Sequence, residues 1–220
     1  KQKTAYEITY GDWSSDVCSS DLVSDLVAEV GSAERFFEES LEPYFEIMSA
    51  MLDGRGPTPA SSRVLGYLSW LGSGEWMAPA MLQWRLAEGD PSRIETFLVR
   101  LDRLAYGLRL LGIGGDKRRT RFRQVLAAVR QGTALDPGGP LELSRDECRN
   151  IFYNLKSLHS RSQFTCKLLL LRVNDEMAGA PQGLDPSLYT VEHVLPQRPG
   201  RGSLWRKWFA ATDDREAATQ

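Results

Sequence analysis

Glutamate and histidine adjoin at Glu192-His193, inside the run Tyr189-Thr-Val-Glu-His-Val-Leu-Pro196, which holds one of the chain's 2 histidines. A carboxylate beside an imidazole suits metal-assisted hydrolysis: the carboxylate can hold a divalent cation, and the neutral imidazole can take a proton from water to make a nucleophile. Tyr189 to Leu195 is rich in β-branched and aromatic residues and Pro196 stops it, so the pattern predicts a short strand running into a loop. Adjacent side chains on a regular strand point to opposite faces, so the pair can converge on one ion only where the backbone bends, as Pro196 favours. A Glu-His pair at a strand end is also ordinary solvated surface. The zinc-protease patterns His-Glu-x-x-His and His-x-x-Glu-His are both absent at this position.

Basic residues lie close to the pair. Arg198 and Arg201 sit in a Gly/Pro loop, and Arg206 and Lys207 follow on a short helix capped by Ser203 that carries Leu204, Trp205, Trp208 and Phe209. Such a cluster attracts a phosphodiester and offers little to a small neutral substrate. Trp205 and Trp208, three apart, read as packing residues rather than base-stacking ones. A second basic stretch runs from Asp116 to Gln131, where Lys117, Arg118, Arg119, Arg121, Arg123 and Arg130 surround the apolar stripe Phe122, Val125, Leu126 and Val129. That concentration can track phosphates. The same helix, in a chain of net charge −2, also reads as a solvated face neutralised by acidic neighbours.

The run Thr-Val-Glu-His-Val-Leu-Pro-Gln, followed by Ser-Leu-Trp-Arg-Lys-Trp-Phe, resembles the C-terminal domain of the GmrSD-type modification-dependent restriction endonucleases. These carry a His-Me-finger, HNH-like site of strand, loop, strand and helix around one metal. The resemblance implies that His193 is the general base, that Glu192 stands where the acidic metal ligand is found, and that the metal is a divalent ion of the Mg²⁺ type. It implies DNA as partner, with Arg118, Arg119, Arg121, Arg123, Arg198, Arg201, Arg206 and Lys207 as candidate phosphate contacts. The family motif continues with a Leu-Gly-Asn-Leu strand and a helix bearing Asn and Lys. By that comparison residues 140–220 hold the first part of the nuclease domain, and this length of chain is expected to be inactive alone. Residues 23–135 resemble the end of the helical, nucleotide-handling domain that accompanies the nuclease. No P-loop is present, so any NTP dependence would reside further N-terminal. Homo-oligomerisation stays open. The competing expectation is a helical DNA- or partner-binding module with a degenerate nuclease site.

The positioning elements are expected to be helices. At 220 residues, 42% apolar and 25% charged, the chain has an ordinary soluble composition. No apolar run reaches the roughly 18 residues of a membrane span, and no signal peptide is visible, so the default expectation is a cytoplasmic protein. Cys18, Cys148 and Cys166 lack metal-type spacing and read as free thiols. Asp12 to Leu22 matches a forward translation of a widely used sequencing-adapter oligonucleotide, so residues 1–22 read as a non-native segment.

From Val23 the periodicity turns helical. Phe36, Phe37, Leu41, Tyr44, Phe45, Met48 and Leu52 recur at three and four along Ala33–Leu52, with Pro43 as a kink point. Two shorter helices are expected over Ser61–Leu71 and Pro79–Glu88. The best helix opens at Asp90-Pro-Ser, capped either by Asp90 or by a Ser92–Glu95 box, and lines Ile94, Phe97, Leu98, Leu101, Leu104, Ala105, Leu108 and Leu111 on one face. Leu135-Asp-Pro-Gly-Gly-Pro is the expected linker and domain boundary. Beyond it, Ser144 to Glu147 is a capping box for a helix with Ile151, Phe152 and Leu155 inward. Phe164 to Val173 is apolar almost throughout and is expected to be a buried helix under the nuclease strand, with Cys166 as a small core residue. His159, lacking an acidic partner nearby in sequence, reads as a loop residue. The fold class expected is therefore mainly α, a helical bundle followed by the first part of a ββα-metal nuclease domain.

Overall fold

The computed structural model describes residues 27–192 and 200–208. These are mainly helical and, among the described residues, no strand occurs and no helix is long and apolar enough to cross a membrane. The chain divides between Ser49 and Ala50 into two compact units.

In the N-terminal unit a helical turn at 27–30 precedes α1 (Ala33–Phe36), which Ser32 caps through the Arg35 amide. A π-helical turn, Phe37–Leu41, leads into α2 (Glu42–Leu52), whose residues from Ala50 onward belong to the second unit. The widened turn answers Pro43, which has no N–H for the fourth carbonyl back and whose ring presses on it; the Glu42 amide reaches Phe37 O instead. The expected kink is thus a local change of helical pitch.

The second unit is built around α5 (Pro91–Leu110), against which α3 (Pro59–Ser69), α4 (Met77–Leu86) and α7 (Arg145–Leu155) pack, while α6 (Gly115–Arg130) packs on α4. Asp90 is the cap of α5, its carboxylate accepting from Ser92 N at 3.0 Å and Arg93 N at 3.3 Å. Glu95 is occupied elsewhere: its carboxylate accepts a hydrogen bond from the Thr58 hydroxyl at 2.6 Å, and Thr58 is itself the capping-box residue of α3. One contact therefore joins the starts of two helices and decides between the two caps. The apolar face of α5 is buried as its spacing predicts from Ile94 to Leu108, with Leu111 half-buried. The helix closes on Gly112, whose φ of 71° is left-handed, with Ile113 N returning to Leu108 O.

The segment expected as an open linker is tied down. Ala134 and Leu141 are buried, Arg100 donates to Leu135 O at 2.8 Å, and Arg121 donates to Pro140 O at 2.7 Å. Leu143 is seated over Gly107 so closely that a Cβ there would lie 2.6 Å from its Cδ1. The missing side chain of Gly107 lets this strap lie against α5.

The Ser144–Glu147 capping box forms as expected at the start of α7, but Phe152 is 72% exposed. What α7 buries is Asn154, which donates to Leu110 O at 2.9 Å, a carbonyl of the last turn of α5 that has no partner within that helix. His159 is half-buried in the single turn α8 (Leu158–Arg161), not in a loop. The helix α9 (Gln163–Ala178) buries one stripe, Thr165, Leu168, Leu171 and Asp175. Phe164, Leu170 and Val173 are exposed, so the apolar run is not buried throughout, and Cys166 is half-buried. A 3₁₀ turn (Pro186–Leu188) and α10 (Leu204–Trp208) complete the described elements.

Candidate functional site

Asp185 starts the 3₁₀ turn by accepting the Ser187 amide at 2.8 Å, and that hydrogen bonding holds its carboxyl below the ordinary value. Tyr189 then follows in extended conformation, φ −117° and ψ 147°. The expected strand is not formed over its described part: Tyr189 to Glu192 is unassigned to any ladder, because no second strand runs beside it among the described residues to take up its amides and carbonyls. Glu192 is exposed, while His193 and Arg198 fall within 193–199, outside the described residues. Arg201, Arg206 and Lys207 are exposed, and Trp208, expected as a packing residue, is 65% exposed. Among the described residues no group of three or more His, Cys, Asp or Glu side chains could hold a metal ion.

The arginines of α6 do not form one free face. Arg118 turns inward, donating to Ile113 O at 2.7 Å and to Glu75 at 3.1 Å. Burial opposes the charge on Glu75, yet hydrogen bonds from Ser73, its own backbone and Arg118 hold its carboxyl below the ordinary value. Arg121 staples the strap through Pro140 O and Glu142 O and faces Glu147 at 3.7 Å. Arg119 pairs with Asp116 one turn back, whereas Lys117, Arg123 and Arg130 are exposed. Two of the four expected phosphate contacts on this helix are thus structural ties. An open groove of about 840 Å³ lies beside them, lined by Gln124, Gln131, Thr133 and the strap.

The most highly built polar cluster was not singled out by spacing. Arg172 of α9 grips Asp102 of α5 with two hydrogen bonds, 3.0 and 2.8 Å, and its guanidinium carbon lies 4.3 Å from the ring centroids of both Tyr67 and Tyr106. Tyr106 donates to Tyr67 O at 2.9 Å, and Tyr67 donates to Asp175 at 3.1 Å. Asp175, only 2% exposed, also accepts the Gln182 amide at 3.0 Å and so anchors the chain leaving α9. Burial pushes the Asp102 carboxyl up against the pull of Arg172, and it pushes the Tyr67 hydroxyl, reinforced by Asp175, up to about 12. Tyr106 is raised further, again by burial. The cluster holds α9 to α3 and α5 and offers no unoccupied nucleophile. The available sequence signal was a charge within an apolar stripe, Asp102 beside Leu101 and Arg172 after Leu168–Leu171, which requires a buried partner.

In comparisons with known proteins, no family model, no curated protein and no solved structure matches the chain.

Proposed function

We propose that the chain is part of a divalent-metal-dependent DNA endonuclease of a restriction-type defence system, acting on foreign, modified DNA. The observation that carries this reading is the motif Thr190-Val-Glu-His-Val-Leu-Pro-Gln197 with basic residues on its C-terminal side. In it, the neutral His193 imidazole accepts a proton from the attacking water. Arg201, Arg206 and Lys207, all exposed, draw the phosphodiester toward that base. The ββα arrangement of the catalytic domain belongs to this proposal. Glu192 is the motif's one carboxylate, and a single carboxylate does not fix a Mg²⁺ ion in a defined geometry. The described residues alone therefore do not fit the metal.

The test is cleavage of modified and unmodified plasmid by the complete protein with Mg²⁺, beside its His193→Ala variant. Loss of cleavage in a variant that still folds and binds DNA is expected; cleavage retained by the variant overturns the reading. A second reading, a helical DNA-binding module without cleavage, is supported by the exposed Lys117, Arg123 and Arg130 of α6. It predicts salt-dependent DNA binding with no metal-dependent cleavage by the complete protein.

A further inference from the structure

The outer face of α5 carries a line of arginines whose neutralising carboxylates lie elsewhere. This helix has four arginines and two carboxylates. Glu95 is taken by Thr58, and Asp102 is buried in the grip of Arg172. Arg109 turns toward Leu71 O at 2.6 Å. Arg93, Arg100 and Arg103 remain. Together with Thr96 they fall at spacings of three, four and three, which places them in one stripe along the helix.

Arg93, Thr96 and Arg103 are exposed, and among the described residues no hydrogen bond or ion pair holds the guanidinium of Arg93 or Arg103. Arg100 is oriented by its bond to Leu135 O. Beside it the strap closes a notch of about 350 Å³ between Arg100, Arg103 and Leu141–Leu143. The strap contributes one carboxylate to this notch, Glu142, and that carboxylate accepts the Gly138 amide at 2.9 Å. From Arg93 to Arg103 the helix rises about 15 Å at 1.5 Å per residue. A single phosphate needs far less. One DNA strand sets down about four phosphates over that distance at 3.4 Å each along the axis.

We propose that the Arg93–Arg100–Arg103 face of α5, with the notch against Leu141–Leu143, is a sequence-independent contact surface for the phosphate backbone of duplex DNA. It rests on the reading of the protein as DNA-acting and gives the duplex a place on the helical unit. Arg121 of α6 then serves to hold the strap that shapes one wall of the surface.

The test is fluorescence anisotropy of a short labelled duplex with the full chain, without divalent metal, across a potassium chloride series. The variants are Arg93→Ala/Arg103→Ala and the charge-keeping Arg93→Lys/Arg103→Lys, with melting temperatures confirming that each folds. Losing two phosphate contacts lowers the slope of log affinity against log salt by about 1.8, at about 0.9 per contact, and the lysine pair restores it. If the unmodified chain binds and the alanine pair changes neither affinity nor slope, the surface is wrong while the DNA reading stands. If the alanine pair loses binding of inorganic phosphate but keeps the duplex, the face is a small-anion site and the proposal is likewise overturned. If the unmodified chain binds no duplex even at low salt, the DNA reading itself falls and takes the surface with it.

Discussion

Replacing Arg172 with methionine keeps an unbranched side chain against Tyr67 and Tyr106 but leaves Asp102, 5% exposed, without its counter-charge. Removing one member of a buried pair costs about 3–5 kcal/mol, because the remaining charge is desolvated and uncompensated. The Arg172 side chain retains 22% of its exposure, so water can reach part of the vacated site, which favours the lower figure of about 3 kcal/mol. Each guanidinium–ring contact adds about 0.5–1 kcal/mol, partly returned by the methionine thioether. In urea, with a slope of about 2 kcal/mol per molar, the midpoint should fall by about 1.5 M at pH 8. Asp102→Leu/Arg172→Met should recover most of the loss, since an apolar pair of similar volume replaces buried ions at little or no cost.

The pH dependence gives a second handle on the same pair. Burial already holds the folded Asp102 carboxyl above its ordinary value, so its contribution is present below the unfolded pKa and is lost as pH rises through the folded one. Deleting Arg172 removes the opposing pull and raises that carboxyl further. The deficit of Arg172→Met relative to the unmodified chain should therefore narrow as pH falls from 8 toward 5. A deficit below about 1 kcal/mol at pH 8, within the range of an exposed ion pair, would refute the assigned role, as would a deficit that widens as pH falls.

The buried hydroxyls lead to an alkaline prediction. With Tyr67 raised from 10.0 to about 12 and Tyr106 raised as well, the contribution of these two tyrosines to stability should be level up to about pH 10 and decline above it, because the unfolded phenols ionise first. Ultraviolet titration should show two tyrosines that ionise only as the fold is lost, and ionisation of all tyrosines near pH 10 in the folded chain would contradict this. Gly107→Ala should destabilise by about 1 kcal/mol despite the helix propensity of alanine, because Leu143 must leave its seat. In a Leu143→Ala background the same change should turn stabilising, a sign reversal that thermal melts can read directly.

Local chemistry was legible in the sequence wherever one helix's own residues decided the outcome. The apolar stripe from Ile94 to Leu108, the glycine stop at Gly112 and the capping box at Ser144 depend on spacing and on backbone groups within a few residues, and all of them form. The choice between the two caps of α5 was open because Asp90 and the Ser92–Glu95 pair both fit the local pattern, and a threonine 37 positions before Glu95 engages that carboxylate and leaves the cap to Asp90. Phe152 and Leu170 carry the apolar character of core residues, yet which stripe of a helix is covered depends on neighbours distant in sequence.

The charged residues separate the two kinds of knowledge most clearly. From sequence alone Arg118 and Arg121 match Arg123, and Asp102 matches any helix-surface acid. Tertiary structure turns Arg118 and Arg121 onto carbonyls of the chain, draws Asp102 under Arg172, and leaves Arg93 and Arg103 outward. The physical reason is that apolar burial is set by area and helical period, which the sequence carries locally. A buried charge is tolerated only where a partner of opposite sign and the needed hydrogen bonds converge on it, and that convergence exists only once α3, α5 and α9 have come together.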